Sequence, residues 1–152
     1  MEGNEIKILI FNLNGEHYAT DISDVERILG YIEPTGMPDA PSFVEGVINY
    51  ENSILPIINL SKKFNFQLLK EQAEKEVKKI IVVKRDKKKF GVIVDTVYEV
   101  SNVSSDSFEE APTITSSSSK NYIEGLIKLE DKIVILLNLV KILSEDEEEL
   151  IF

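Results

Sequence analysis

The stretch FVEGVINYENSILPIINL, which runs from Phe43 to Leu60, decides the fold because its pattern returns as YIEGLIKLEDKIVILLNL from Tyr122 to Leu139. The two stretches align without a gap at an offset of 79 residues, and seven of their positions are identical. Most other pairs keep their side-chain character. A repeat of this length indicates that the chain is built from two copies of one unit.

Each copy has the pattern of two β-strands joined by a tight turn. β-branched and aromatic residues fill 47–50 and 54–58, and polar residues separate the two runs. Gly46 and Gly125 precede the first strand of each copy, where glycine suits a bulge or a bend in a sheet. Pro56 has no amide donor, so the sequence predicts that its strand lies at a sheet edge or is bulged there.

A weaker internal repeat precedes each hairpin. Residues 8–11, 18 and 25–28 align with 80–83, 90 and 97–100 at an offset of 72 residues. The second unit therefore contains a seven-residue insertion, and the Ser-rich stretch 111–120 has the composition of the surface loop that would hold it. Asn14-Gly15 predicts a hairpin turn. We expect the neighbouring His17 to be a solvated side chain.

Several short strands with Gly, Asn and Pro turns, repeated once, predict an all-β fold of two small barrels or a split sandwich. Two units are too few for a solenoid, so we expect a pseudo-symmetric pair that buries its faces against each other. The expected organisation is a single domain, 1–152, with units at roughly 6–66 and 79–143.

The segments outside the strands predict short helices and connections. The Lys- and Glu-rich connector 67–79 is expected to be a solvated helix or loop, and solubility explains the acidic tail 144–152. Three short helical turns are expected: one capped by Asp21 or Ser23, one at 61–64, and one at 138–143 with Leu139, Ile142 and Leu143 inward.

Composition excludes several classes of function. The 152 residues include no Cys and one His, so we expect no disulfide, no thiolate or histidine metal site and no thiol nucleophile. A formal charge of −10 disfavours nucleic-acid binding. No apolar run is long enough to span a bilayer and no signal segment is evident, so we expect a cytoplasmic protein without membrane insertion.

No catalytic motif is visible either. The glycines fit no phosphate-binding or dinucleotide pattern, and the serines at 116–119 have no nucleophile-elbow glycines. Paired carboxylates are common in a chain with 27 acidic residues, so their adjacency carries little information. We expect no enzyme activity and no cofactor, although a carboxylate pair assembled only by the fold stays an open alternative.

Gly46-Val47-Ile48-Asn49, followed by Ile54-Leu55-Pro56-Ile57-Ile58-Asn59-Leu60, is similar to the signature G-V-x-N-L-R-G-x-I-x-P-V-x-D-L of the CheW-like domains of chemotaxis proteins. Residues 11–18 and 21–25 resemble the start of that family's domain, 91–97 its midpoint and 122–125 its last third. Each piece is weak, but the combination is specific and covers nearly the whole chain.

The resemblance implies two five-stranded SH3-like barrels around a shared core and a non-enzymatic adaptor. Such adaptors link the cytoplasmic tip of methyl-accepting receptors to the regulatory domain of the histidine kinase CheA, and they are recruited to membrane receptor arrays. In the family, barrel ends contact the kinase domain and the groove between the barrels takes the receptor tip. Ile22, Val25, Gly91 and Val97 match groove positions, and for the apolar ones plain barrel core is an equal alternative.

The chain departs from the family pattern at two positions that are related in charge. Most CheW-like sequences have an acidic residue where this chain has Arg27, and an arginine where it has Glu51. Because both signs are reversed, attraction between the two positions is kept. The sequence therefore predicts an Arg27–Glu51 salt bridge across two strands at the rim of the first barrel, against the alternative of two independent surface substitutions. Both residues are also expected among the receptor-binding groove positions. A small-barrel interaction module of another signalling system stays open as an alternative function.

Overall fold

The computed structural model describes residues 5–64, 78–110 and 122–152. The expected loop at 111–120 and residues 67–77 of the connector lie outside these ranges. The strands of the described part are β1 (Glu5–Leu13), β2 (Glu16–Asp21), β3 (Val25–Gly30), β4 (Val44–Tyr50), β5 (Ser53–Asn59), β6 (Lys79–Arg85), β7 (Lys88–Val94), β8 (Thr96–Ser104), β9 (Phe108–Glu109), β10 (Ile123–Leu129) and β11 (Lys132–Leu137). The helices are α1 (Leu60–Lys63) and α2 (Glu145–Ile151).

The strands form two sheets, which confirms the all-β class. One sheet has the order β3-β6-β7-β5-β4, and we call it the first sheet. The second sheet has the order β8-β1-β2-β11-β10-β9. The repeated hairpins β4–β5 and β10–β11 lie in different sheets, and each joins its neighbour through a parallel pairing, of β5 with β7 and of β11 with β2.

The sheets do not coincide with the expected units at 6–66 and 79–143. Hairpin β1–β2 belongs to the first unit in sequence but pairs with β8 and β11 of the second unit. Hairpin β6–β7 belongs to the second unit but pairs with β3 and β5 of the first. The two units have therefore exchanged their leading hairpins, and each sheet contains strands from both halves of the chain.

The core explains this exchange. In β1, Ile8 and Ile10 pack inside the second sheet, whereas Leu9 and Phe11 face a central cluster shared with the first sheet. In β6, Ile80 and Val82 likewise pack inside the first sheet. Ile81 and Val83 face the same central cluster. Because side chains alternate along a strand, β1 and β6 are buried on both faces.

The two repeated glycines lie at β-bulges. The β4–β5 ladder shifts register between Val44 and Gly46, and the β10–β11 ladder shifts between Ile123 and Gly125. Gly46 has a φ of +143°, and a Cβ there would collide with the carbonyl oxygen of Thr35. A Cβ at Gly125 would collide with the ring of Phe108. The glycines allow another segment to approach each bulged strand closely.

The expectation for Pro56 is wrong, because β5 is neither an edge strand nor bulged at this residue. β5 lies between β7 and β4, and Pro56 stands opposite Val47 in a continuous stretch of the ladder. The backbone amide and carbonyl of Val47 bond to Thr35, so this pair needs no donor from the proline. The parallel pairing with β7 begins one residue later, at Ile57.

The short helical turns form largely where expected. The carboxylate of Asp21 caps the 3₁₀ turn Ile22–Asp24 and accepts a bond from the Ser23 amide at 2.9 Å. Helix α1 is capped by Asn59. The expected helix at 138–143 is a 3₁₀ turn over Leu139–Lys141, and the inward direction of Leu139, Ile142 and Leu143 is confirmed by their burial.

The acidic tail is a structured element, contrary to the expectation that solubility alone explains it. Ser144 and Glu147 form a reciprocal capping box at the start of α2. The Lys63 ammonium lies 2.9 Å from the Glu147 carboxylate, and Ile151 packs against the central cluster. Burial opposes ionisation of Glu147, but hydrogen bonds from Lys63 and Ser144 outweigh it and lower the pKa of this carboxyl.

Replacing Gly46 with alanine should test the role of the bulge. The new Cβ would collide with the Thr35 backbone in a conformation that L residues rarely adopt. We expect the free energy of unfolding to fall by about 2 to 3 kcal/mol. Gly30→Ala is the matched control, because a Cβ there meets no atom within 4 Å, and its effect should stay within about 0.5 kcal/mol. Equal urea-unfolding midpoints for the two variants would contradict this account.

Candidate functional site

The apolar residues predicted for the groove lie at the margin of the central cluster. Ile22, Val25 and Val97 are half-buried, and all three pack against that cluster. Val25 begins β3 and Val97 is the second residue of β8, and these two strands are edges of their sheets. The structure therefore brings these three residues to one shared cluster at the seam between the sheets.

The 3₁₀ turn beside this seam is acidic. Burial, followed by the charges of Asp21 and Glu124, raises the pKa of Asp24. Asp21 lies on the same turn, whereas Glu124 comes from the other half of the chain and accepts a bond from Asn138 at 2.8 Å. The seam thus combines half-buried apolar side chains with a negative rim.

Gly91 is not brought to this surface. The residue is buried within β7, where a Cβ would lie 2.7 Å from Ile80 Cγ2 and 2.8 Å from Ile57 Cδ1. Both neighbours belong to the cluster inside the first sheet. The absence of a side chain at Gly91 therefore serves close packing within that sheet.

The predicted salt bridge between Arg27 and Glu51 is confirmed. Arg27 Nη2 lies 3.5 Å from Glu51 Oε2, and the two side chains are 57% and 50% exposed. An exposed pair of this kind contributes at most about 1 kcal/mol. The ion pair therefore adds little to the stability of the fold. Because both side chains are exposed, their charges can interact with a partner.

A second network lies beside this ion pair. The β3–β6 ladder shifts register between Val25 and Arg27, so Glu26 is the extra residue of a bulge. Its carboxylate accepts bonds from the Tyr50 hydroxyl at 2.7 Å and the Lys89 ammonium at 3.0 Å. The Arg27 guanidinium and the Lys89 ammonium lie 6.0 and 5.8 Å from the centre of the Tyr50 ring. Tyr50 thus contacts both cations.

These contacts shift two pKa values in opposite directions. The hydrogen bond from Tyr50, followed by that from Lys89, lowers the pKa of the Glu26 carboxyl below its ordinary value of 4.5. Burial, followed by the hydrogen bond to Glu26, raises the pKa of Tyr50 to about 12. At neutral pH the network therefore holds an ionised Glu26 carboxylate and a neutral Tyr50 phenol.

The equivalent place in the second sheet is built differently. Tyr98 is the extra residue of the β1–β8 bulge and corresponds to Glu26 at the offset of 72 residues. Its ring stacks on His17, which corresponds to Lys89, with 5.3 Å between ring centres. Leu129 takes the place of Tyr50. A pocket of about 290 Å³ opens here, lined by these three residues, Ile10, Glu99, Lys132 and Val134.

His17 is not the solvated side chain that the sequence predicts, because it is half-buried and stacked on an aromatic ring.

Tyr50 and Lys89 of the first-sheet network have no signal in a sequence motif, because a lone Tyr or Lys in a strand is ordinary. The internal alignment is the signal that could find them, since it pairs Lys89 with His17 and Tyr50 with Leu129.

Two negative findings apply to residues 5–64, 78–110 and 122–152. Within them, no three His, Cys, Asp or Glu side chains are grouped so as to hold a metal ion. In the same ranges, no helix has the length and apolar content needed to cross a bilayer. The described residues present an apolar seam, an exposed ion pair and an open pocket beside His17. These features are typical of a protein-interaction module.

Comparisons with known proteins give the family. The CheW-like domain model matches residues 7–147, so the chain belongs to the CheW-like family. The chemotaxis protein CheW of Klebsiella aerogenes is 32% identical over 145 residues, covering 95% of this chain and 86% of that protein. The Thermotoga maritima CheW is 28% identical, covering 93% and 89%. The crystal structure of the scaffolding protein TtCheW from Thermoanaerobacter tengcongensis has a TM-score of 0.81 at 33% identity, covering 97% and 96%.

Replacing Tyr50 with phenylalanine should expose the pH dependence of the network. The folded-state pKa of Glu26 is lowered, so the stability it contributes is present above the unfolded pKa and is lost as pH falls. We expect the variant to be less stable by about 1 to 2 kcal/mol at neutral pH. The difference should shrink as pH falls below about 4.5, the ordinary pKa of this carboxyl in the unfolded chain, toward the lower pKa of the folded state.

Tyr98→Phe is the control for this measurement, because Tyr98 is 48% exposed. Its effect on the unfolding free energy should stay within about 0.5 kcal/mol at every pH. A Tyr50→Phe effect that is constant from neutral to acidic pH would contradict the assignment.

Proposed function

We propose that this protein is a non-enzymatic chemotaxis adaptor that couples methyl-accepting receptors to the histidine kinase CheA. The single observation that carries the proposal is the match along nearly the whole chain, in sequence and in fold, to CheW proteins and to a CheW described as a scaffolding protein. Such an adaptor acts in the cytoplasm and is recruited to receptor arrays at the membrane.

The receptor tip is proposed to bind at the seam formed by Ile22, Val25 and Val97. Half-buried apolar residues with an acidic rim suit an amphipathic helix, which needs an apolar floor and polar flanks. The Arg27–Glu51 pair contributes exposed charges near the start of β3. Rim charges of this kind set partner choice and association rate more than affinity.

The kinase regulatory domain is proposed to bind at the ends of the sheets. The pocket beside His17 and Tyr98 supports this assignment, because it is open and its floor includes the apolar Ile10 and Val134. The corresponding residue in the first sheet is Tyr50, whose ring is buried and whose hydroxyl donates a hydrogen bond to Glu26. One end therefore offers a recess and the other a buried ring in a charged network.

The mechanism that follows is geometric. Two partners held on one rigid protein occupy fixed relative positions, so a movement of the receptor helices changes the contacts that the kinase makes in its two states. No bond is made or broken on the adaptor. The adaptor contributes the difference in binding free energy between the two states of the kinase.

The direct test is capture from an extract of the native cell with the immobilised full chain. We expect a histidine kinase and a methyl-accepting receptor to be retained together. Retention of neither, with the chain shown to be folded by circular dichroism, would overturn the proposed function.

Substituting the seam residues should separate binding from folding. We expect Val25→Lys and Val97→Lys to weaken receptor binding at least about tenfold, because buried apolar anchors dominate interface energy. Val25→Ala is a milder second variant that only truncates the side chain. Lys128→Glu, at an exposed residue of β10, is the control and should bind normally. Normal receptor binding by all three valine variants would place the receptor elsewhere.

Reversing the ion pair should reveal whether the two charges act together. We expect Arg27→Glu and Glu51→Arg each to impair receptor binding, because each leaves two like charges in contact. The double variant should restore much of the lost affinity. A double-mutant cycle measured by titration calorimetry reports the coupling, and additive losses would show that the two positions act independently.

A further inference from the structure

A second recess lies on a different face, where the end of α2 meets the segment 37–41. It has a volume of about 520 Å³, and its lining is almost entirely apolar. Met37 and Pro41 come from the segment before β4, Val47 and Pro56 from the β4–β5 hairpin, and Leu150 from the helix. We call this recess the helix-side pocket.

The apolar walls of this pocket are unusually exposed. Leu150 is 71% exposed and Met37 is 52% exposed, and both line the recess. Single exposed apolar residues are ordinary, but neighbouring ones around a concavity mark interaction sites. The helical wall is held in place, because α2 is capped by Ser144 and anchored by the Lys63–Glu147 pair.

The helix that supplies Leu150 and Ile151 to the pocket is strongly acidic. Five consecutive acidic residues, 145–149, form most of α2. Glu145, Asp146 and Glu149 are exposed, and Asp39 adds a carboxylate to the pocket lining itself. An occupant that is apolar at its centre and cationic at its edges suits this combination.

We propose that the helix-side pocket binds a segment of a partner protein in which apolar side chains are flanked by Lys or Arg. The apolar side chains would enter between Met37 and Leu150, and the cations would face the exposed carboxylates of Glu145, Asp146 and Glu149. A second copy of this chain is a poor occupant, because two acidic helices would be brought together. This site goes beyond the proposed function, since the seam and the pocket beside His17 and Tyr98 are formed by other residues.

The test uses three synthetic peptides and the full chain. The first peptide forms a helix with a Leu face flanked by Lys, the second has Glu in place of Lys, and the third has the composition of the first in scrambled order. Fluorescence anisotropy measures their binding at low and high salt. We expect the first peptide to bind best and to weaken as salt screens its charges.

Variants then locate the binding. Leu150→Asp should lower the affinity for the Leu/Lys peptide at least about tenfold, since it places a charge in the apolar wall. The residue is exposed, so the variant should fold normally. Glu149→Lys should also weaken binding. Ile133→Asp is the matched control, because Ile133 is 59% exposed on β11, away from this pocket, and it should leave the affinity unchanged.

Three results would overturn the proposal. Equal binding of the scrambled peptide, or of the Glu peptide, would show that no apolar face or no charge pairing is involved. Equal losses from Leu150→Asp and Ile133→Asp would show that the pocket is not the site. A concentration-dependent dimer that Leu150→Asp abolishes in light scattering would identify the occupant as a second copy.

Discussion

The burial of β1 and β6 on both faces is the constraint on which the rest of the structure depends. In β1, Ile8 and Ile10 pack in the cluster of the second sheet, whereas Leu9 and Phe11 pack in the central cluster between the sheets. In β6, alternate residues of 80–83 likewise pack in the cluster of the first sheet and in the central cluster. A strand in this position needs a neighbour along each edge and a layer on each face. The exchange of leading hairpins supplies both, and it sets β3 and β8 at the sheet edges where the seam is formed.

The internal repeat places an equivalent bulge in each sheet, but the side chains around the two bulges differ. The bulges at Glu26 and Tyr98 re-aim equivalent side chains in the two sheets. In the first sheet, the buried ring of Tyr50 lies in a network with Glu26 and Lys89. In the second sheet, Leu129 stands at the equivalent position and lines an open pocket. The repeated chain thus presents two unlike ends.

The hairpins, the glycine bulges and the Asp21 cap were predictable from the sequence, because each depends on residues that are close in the chain. The Arg27–Glu51 pair was predictable because its two sign changes compensate. The exchange of hairpins was not predictable, because an internal repeat shows that two units are similar but does not show which strands pair. The prediction of an edge or bulge at Pro56 was wrong because Thr35, which lies outside the repeat, forms the backbone hydrogen bonds of Val47 opposite the proline. The order of α2 was missed because its docking depends on Lys63, 84 residues away.

The hairpin exchange has a mechanical consequence. Each sheet contains strands from both halves of the chain, so neither half can be removed without breaking ladders in both sheets. Unfolding should then be a single cooperative event, and proteolysis of one half would disable the other. We expect the two sheets to resist separation into independent units and to move together when either one is displaced.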